Sequence, residues 1–262
     1  MTETFLEKIV AKTREKVEQT RSLGYADAIE RRAKKMRAAK EPNRFHAALS
    51  RRDRTNIIAE IKRASPSKGV ISADIDVAKV ARNYASGGAA AISVLTENEY
   101  FGGDTMDLVV VAKTVDIPVL RKDFMVDSYQ IYEAAAAGAE AILLIVAALN
   151  RQELVEFAAI AEDLGMDSLI EVHTAEELET ARKIGANIIG VNNRNLQTLE
   201  VSLDVSRELI TKRPDGVLMI AESGLSTKDE IDELKALGFD GFLIGETLMR
   251  TGNASETLGG WV

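Results

Sequence analysis

The sequence predicts an α/β protein, a closed (β/α)8 TIM barrel with an N-terminal helical extension. Three observations carry that reading. Eight short apolar runs lie between residues 57 and 244, and amphipathic helical stretches separate them. The runs are unbroken, as in parallel strands covered on both faces, and do not alternate as in a half-exposed sheet. Eight strand–helix units match the count of a barrel in which every strand is followed by a helix. An open doubly wound sheet is the competing architecture, but its usual Gly-x-Gly-x-x-Gly turn after the first strand is missing. The 262 residues hold no linker long enough to divide them, so 1–262 reads as one barrel domain, of which 1–48 is the extension.

The extension comes first. Phe5, Leu6, Ile9, Val10 and Val17 recur at three- and four-residue spacing, which predicts one helix with an apolar face. A second helical stretch, 25–39, leads into Lys40 and carries Arg31, Arg32, Lys34, Lys35 and Arg37. This basic run reads as a solvated face, with contact to an acidic partner as the other reading. Pro42 ends the segment. The eight runs follow: 57–61, 91–95, 118–121, 141–146, 168–172, 188–191, 217–221 and 241–244. Gly138, Gly165, Gly185 and Gly238 each stand between a helix and the next run, where a left-handed residue closes the helix. Asn150 with Glu153, Thr174 with Glu177, and Thr227 with Glu230 have capping-box spacing at helix starts.

Composition narrows the function classes. Thirty-three basic against 41 acidic residues leave a net charge of −8, a poor basis for non-specific nucleic-acid binding. No cysteine is present, which removes disulfides, thiolate metal sites and a thiol nucleophile. The longest apolar stretch, Ala141 to Leu149, is far short of the roughly 20 residues of a membrane span. Met1 to Thr4 shows no export signal, and the expected location is cytoplasmic.

In such a barrel, active sites form where the strands end. Here those ends are polar: Glu60 and Lys62 after the first strand, Lys122 after the third, Glu171 and His173 at the fifth, Asn192 and Arg194 at the sixth, and Glu222 at the seventh. Residues two apart on a strand share a face, so Glu60 pairs with Lys62 in direction, and Asn192 with Arg194. Rim salt bridges would account for any one of these charges. Glu60, Lys62, Lys122, Glu171 and Glu222 together at buried strand ends are costly unless paired, and point to acid–base chemistry. Ser223-Gly224 and Gly245-Glu246 follow strands seven and eight, the usual place for a phosphate. The loop from Lys62 to Gly69 is long for a strand–helix connection, and reads as a lid over a charged substrate. His46 and His173 fit no ligand spacing, so neither a metal nor another cofactor is expected, and His173 is not expected to be catalytic.

The strings Ile58-Ala59-Glu60-Ile61-Lys62-Arg63-Ala64-Ser65-Pro66-Ser67-Lys68-Gly69, Ser93-Val94-Leu95-Thr96-Glu97 with Tyr100-Phe101, Leu120-Arg121-Lys122-Asp123-Phe124, Leu169-Ile170-Glu171-Val172-His173, Asn192-Asn193-Arg194-Asn195-Leu196 and Ala221-Glu222-Ser223-Gly224 resemble the indole-3-glycerol-phosphate synthase family of tryptophan biosynthesis. The resemblance runs from the extension to the last strand, and that family is a (β/α)8 barrel with an added N-terminal segment. It implies a carboxy-lyase that converts 1-(2-carboxyphenylamino)-1-deoxyribulose 5-phosphate to indole-3-glycerol phosphate, carbon dioxide and water. On this resemblance Lys122 is the general acid of ring closure and Glu171 a catalytic carboxylate. Lys62 contacts substrate anions and takes part in dehydration, Glu60 and Glu222 orient the lysines, and Asn192 positions substrate. The phosphate site carries over to Ser65, Ser223, Gly224, Gly245 and Glu246. Some family members have serine at the last of these, so Glu246 would enter through its backbone N–H. Phe101, Phe124, Arg194, Leu196 and Leu243 match the pocket. The partners implied are the phosphorylated substrate and other tryptophan-pathway enzymes.

Other enzymes on this scaffold fit less well. The phosphoribosylanthranilate isomerase family uses a cysteine, and the tryptophan synthase α subunit lacks the two lysines. A Schiff-base aldolase would use Lys122 as an amine. An inactive barrel that assembles through its basic segment would be expected to have lost catalytic positions, and none is substituted.

Overall fold

The computed structural model describes residues 4–66, 69–72 and 74–262. Ser67 and Lys68 of the expected lid, and residues 1–3 of the N-terminus, lie outside them.

The eight runs form eight parallel strands: β1 (Asn56–Ile61), β2 (Ala91–Leu95), β3 (Val119–Lys122), β4 (Ala141–Ile145), β5 (Asp167–Val172), β6 (Ile188–Asn192), β7 (Leu218–Glu222) and β8 (Gly241–Ile244). Each pairs with its sequence neighbours, and β8 closes on β1 through Asn56 opposite Gly241 and Ala59 opposite Ile244. The barrel reading holds. Three bounds differ from the expected ones in a way that matters. Strands β3, β6 and β7 run one residue further, into Lys122, Asn192 and Glu222. Those polar residues stay in the ladder, Leu95 opposite Lys122 and Asn192 opposite Glu222. Their side chains are therefore set by strand geometry rather than by loops. At β4 the expected Val146 instead begins a 3-10 turn, Val146–Ala148.

The connecting helices are α4 (Val77–Ser86), α5 (Thr105–Thr114), α6 (Ser128–Ala137), α7 (Arg151–Asp163), α8 (Ala175–Lys183), α9 (Asp204–Leu209) and α10 (Lys228–Leu237), with α11 (Glu246–Arg250) and α12 (Ala254–Gly259) after β8. They therefore take numbers four to twelve, after three helices of the extension. Gly138 and Gly238 close α6 and α10 at φ 99° and 116°, where a Cβ would be strained. Asn150 and Thr227 form full capping boxes. At α8 half of the expected box is missing. The Thr174 hydroxyl accepts the Glu177 N–H, but the Glu177 carboxylate is engaged elsewhere.

The extension is α1 (Phe5–Ser22), α2 (Ala26–Arg37) and a third helix, α3 (Arg44–Leu49). The sequence did not announce α3, because six residues carry too little periodicity. Its role is nonetheless physical. Phe45 and Leu49 are fully buried and join Ile58, Leu120, Leu169, Ile188 and Ile220 inside the barrel. A larger apolar layer fills the space between the strands and the outer helices. The basic run needs a correction. Arg31, Arg32, Lys34 and Lys35 are exposed as expected, but Arg37 is buried and donates to the Leu164 and Gly165 carbonyls at 2.9 and 2.7 Å. Lys40 and Arg44 both reach Glu140, at 2.8 and 2.6 Å. Part of the run thus anchors the extension to the barrel. No described helix is long and apolar enough to cross a membrane.

Candidate active site

The described residues of the loop after β1 include a two-stranded ribbon. Ala64 pairs with Val70 and Ser65 with Gly69, antiparallel, which brings Ser65 back over the barrel mouth. Beneath it lies a cavity of about 830 Å³, counting its open entrance, lined among others by Glu60, Lys62, Ser65, Lys122, Glu171, Asn192 and Ser223. These side chains rise from β1, β3, β5, β6 and the loops that follow, as the period-two alternation requires. On β3 the same alternation sends Arg121 and Asp123 to the outer side. There the buried Arg121 donates to Asp123 at 3.0 Å and to the Gln130 carbonyl at 3.0 Å, and pairs with Glu133 at 2.8 Å, which fixes the strand end that carries Lys122.

Lys122 Nζ lies 3.0 Å from Glu171 Oε2 and 3.4 Å from Glu222 Oε2. Asn192 Nδ2 donates to Glu171 Oε1 at 3.1 Å. A second pair stands beside this one, Lys62 Nζ to Glu60 Oε1 at 2.7 Å. The expected sharing of a face holds for Asn192 and Arg194 as well. The Arg194 N–H donates to Asn192 Oδ1 at 3.0 Å, and both residues line the cavity. Two glycines make room for the carboxylates. A Cβ at Gly190 would collide with Glu222 Oε1, and one at Gly245 with Glu60 Oε1. Gly190 was not singled out from the sequence. The available signal was a glycine inside the apolar β6 run, which marks close approach.

The apolar wall contains Phe101 and Phe124, with ring centroids 6.4 Å apart, together with Leu196. Leu243 does not line the cavity. It lies inside the barrel, 4% exposed, in the cluster against which Phe124 and Leu196 pack. Phe5 and Leu6 do line it, so α1 covers the mouth, and Phe5 meets Tyr100 edge-on at 5.1 Å. The sequence presented these two residues simply as an apolar helix face.

The expected phosphate residues divide. Ser65 is buried, its hydroxyl lacks a protein partner, and it lines the cavity. Ser223 lines it too, in a left-handed turn with Gly224 (φ 66° and 82°) that Asn193 Nδ2 holds through the Glu222 and Ser223 carbonyls. Gly224, Gly245 and Glu246 are not among the lining residues. Gly224 also has a packing reason, since a Cβ there would stand 2.6 Å from Val201. Glu246 begins α11 and turns its carboxylate to Arg250 at 3.2 Å.

Residues 6–259 match the family described as indole-3-glycerol phosphate synthase. The curated relative of that name from Lachnoclostridium phytofermentans is 46% identical over 258 residues, covering 95% of each chain. The one from Endomicrobium trichonymphae is 47% identical over 253 residues, covering 97% of each. This chain belongs to the indole-3-glycerol phosphate synthase family. It is accordingly a carboxy-lyase of tryptophan biosynthesis acting on a phosphorylated small molecule. Solved structures add the fold alone. KGPDC from Streptococcus mutans gives a TM-score of 0.60 at 13% identity, over 79% of this chain and 95% of that one. Thiamine phosphate pyrophosphorylase from Pyrococcus furiosus gives 0.58 at 18%, over 78% and 92%.

The ionisation of the mouth follows from burial and pairing. Burial pushes the Lys122 ammonium down, but the charges of Glu171, Glu222 and Glu60 outweigh it and hold Lys122 well above the usual lysine range. Burial pushes Glu171 up, and Lys122, His173 and Asn192 more than reverse it, so Glu171 stays ionised. Glu222 goes the other way. Burial, with like charge from Glu171 and Glu60, exceeds the pull of Lys122 and raises it from 4.5 to about 7.

Proposed function

We propose that this mouth closes the indole ring of 1-(2-carboxyphenylamino)-1-deoxyribulose 5-phosphate, with Lys122 as general acid and Glu171 as its partner carboxylate. The observation that carries the reading is the Lys122 ammonium held 3.0 Å from Glu171 Oε2 and 3.4 Å from Glu222 Oε2, at strand ends facing an aromatic-walled cavity. The aromatic carbon that bears the carboxylate attacks the ribulose carbonyl carbon. The carbonyl oxygen takes a proton from Lys122 as the new carbon–carbon bond forms. The carboxylate leaves as carbon dioxide, and its bonding pair returns to the ring. A hydroxyl then leaves as water with a proton from an acid, while a ring proton passes to a base.

Lys62, beside Glu60, supplies positive charge for the substrate anions and a proton for dehydration. Glu222, poised near neutrality at about 7, hydrogen-bonds Lys122 or a substrate hydroxyl in either protonation state. Asn192 fixes Glu171 and the substrate. Phe101, Phe124, Arg194 and Leu196 grip the anthranilate moiety, an aromatic stack adding about 1 kcal/mol beyond burial, and Leu243 supports them from below. Ser65, Ser223, Gly224, Gly245 and the Glu246 N–H hold the phosphate, and no cofactor takes part. The whole chain acts as one unit, in the cytoplasm, beside other enzymes of its pathway.

A Schiff-base mechanism would need Lys122 as a free amine, and its raised pKa disfavours that form. The test is direct: the purified protein is mixed with the carboxyphenylamino-deoxyribulose phosphate in EDTA, and indole fluorescence is followed. Product formation is expected. Tight substrate binding without product would leave a disabled barrel, and trapping of Lys122 by borohydride with a carbonyl substrate would favour the aldolase.

A further inference from the structure

His173 follows β5 directly, and its side chain is 11% exposed. Its Nδ1 stands 3.0 Å from Glu177 Oε2, and its Nε2 3.3 Å from Glu171 Oε1. The same Glu177 oxygen accepts the His173 backbone N–H at 2.7 Å. One carboxylate therefore fixes both the backbone and the ring of this residue.

That arrangement explains the half-formed cap of α8. In α7 and α10 the glutamate at the third helical position returns to the cap backbone, as Glu153 and Glu230 do. In α8 the equivalent Glu177 has left the cap and holds an imidazole instead. The carboxylate is thereby placed on the ring beside the active-site glutamate.

The surroundings of Glu171 complete the argument. Its Oε2 faces Lys122 at 3.0 Å, and its Oε1 faces Asn192 Nδ2 at 3.1 Å as well as the imidazole. The carboxylate is 1% exposed. We infer that His173 is a positioning residue for the reaction: clamped by Glu177, it sets a positive charge against Glu171 Oε1 and keeps that carboxylate ionised and turned toward Lys122. The inference rests on the reading of Glu171 as the partner carboxylate of Lys122. The charged groups facing the ring are Glu171 on its own strand and Glu177 from α8, with Lys122 of β3 beyond Glu171. Burial pushes the imidazole down, and the two carboxylates reverse this and raise it from 6.5 to about 9, so it is an imidazolium at neutral pH.

The test uses Glu177→Gln, His173→Gln and His173→Leu in the full chain. With two histidines in the chain, ring titration by 15N NMR is readable. The His173 ring is expected to titrate at about 9, and to fall toward about 6.5 in Glu177→Gln. In His173→Gln, which lacks the charge at every pH, the acid limb of the kcat profile should move up by about one pH unit, a tenfold change in proton affinity, while in Glu177→Gln turnover should instead fall as pH rises through about 6.5, with KM little changed in both. His173→Gln, which keeps a donor but no charge, should retain more turnover than His173→Leu while showing the same shifted limb. A wild-type His173 ring that titrates at the ordinary value of about 6.5, an acid limb unmoved in His173→Gln, or losses confined to KM would overturn the inference. Glu171→Gln run alongside separates the two readings. If it keeps full turnover, the role of Glu171 fails and this one with it. If it is crippled while the other profiles stay fixed, only the role of His173 fails.

Discussion

At the residue scale the central object is one ammonium shared by two buried carboxylates. Lys122 stays protonated because the carboxylates outweigh burial, which makes it a constant but reluctant donor. In the proposed ring closure it would transfer its proton as negative charge develops on the substrate oxygen, when the acceptor becomes the stronger base. Lys122→Met is expected to cut kcat by about 10²- to 10⁴-fold, the usual share of a general acid, with a cooperative unfolding transition retained. Near wild-type turnover would remove Lys122 from the mechanism. Glu222 supplies a stability prediction. Its folded pKa of about 7 lies above its ordinary 4.5, so the stability it confers is full below pH 4.5 and is lost as pH rises through 7. Glu222→Gln does not ionise and escapes that loss. The variant should therefore gain stability relative to the parent as pH rises from 4.5 to 8, measured by urea midpoints. A difference independent of pH would show that Glu222 is ionised throughout.

At the scale of single elements, the strands determine where chemistry is placed. β1, β6, β7 and β8 bring Glu60 against Gly245 and Glu222 against Gly190, and each glycine stands where a Cβ would meet a carboxylate oxygen. Gly190→Ala should force Glu222 off its place beside Lys122. Overpacking of this kind costs about 1–3 kcal/mol, and here turnover should suffer along with stability. A Gly190→Ala variant with unchanged kcat and unchanged urea midpoint would mean that Glu222 relaxes freely. Helix α1 is the other element with a double part. The spacing of Phe5 and Leu6 was legible as an apolar helix face. Its place over the cavity was not, because a period of 3.6 says which face is buried and says nothing of what it is buried against.

At the scale of the whole molecule, the extension and the barrel are tied at both ends. Phe5 reaches the mouth, while Phe45 and Leu49 enter the barrel interior from the extension's other end. Between them Arg37 satisfies the carbonyls of Leu164 and Gly165 at the end of α7. Arg37→Met would leave the buried Leu164 carbonyl without its arginine donor and the Gly165 carbonyl with the Asn43 N–H alone, a loss of about 2 kcal/mol. Equilibrium urea unfolding should register it, with kcat close to the parent's, since the site lies at the opposite end of the strands. A parent-like midpoint would mean that water replaces the guanidinium at no cost.

The sequence alone determined the architecture and the residue types at its active end. Eight buried runs with capped helices between them admit few folds, and period two states which side chains share a direction, as Glu60 with Lys62 and Asn192 with Arg194 do. Only the tertiary structure decided which charges meet across strands. The contacts of Lys122 with Glu171 and Glu222 join residues 49 and 100 positions away in the chain. They depend on barrel closure and register, to which no local pattern is sensitive. The protonation of Lys122, Glu171 and Glu222 was equally out of reach, because it turns on the balance between desolvation and pairing at distances of 3 to 4 Å. The contacts of His173 were out of reach for the same reason. Its sequence position two residues after Glu171 was plain, but the carboxylate that turns its ring belongs to the following helix and had been assigned to a cap.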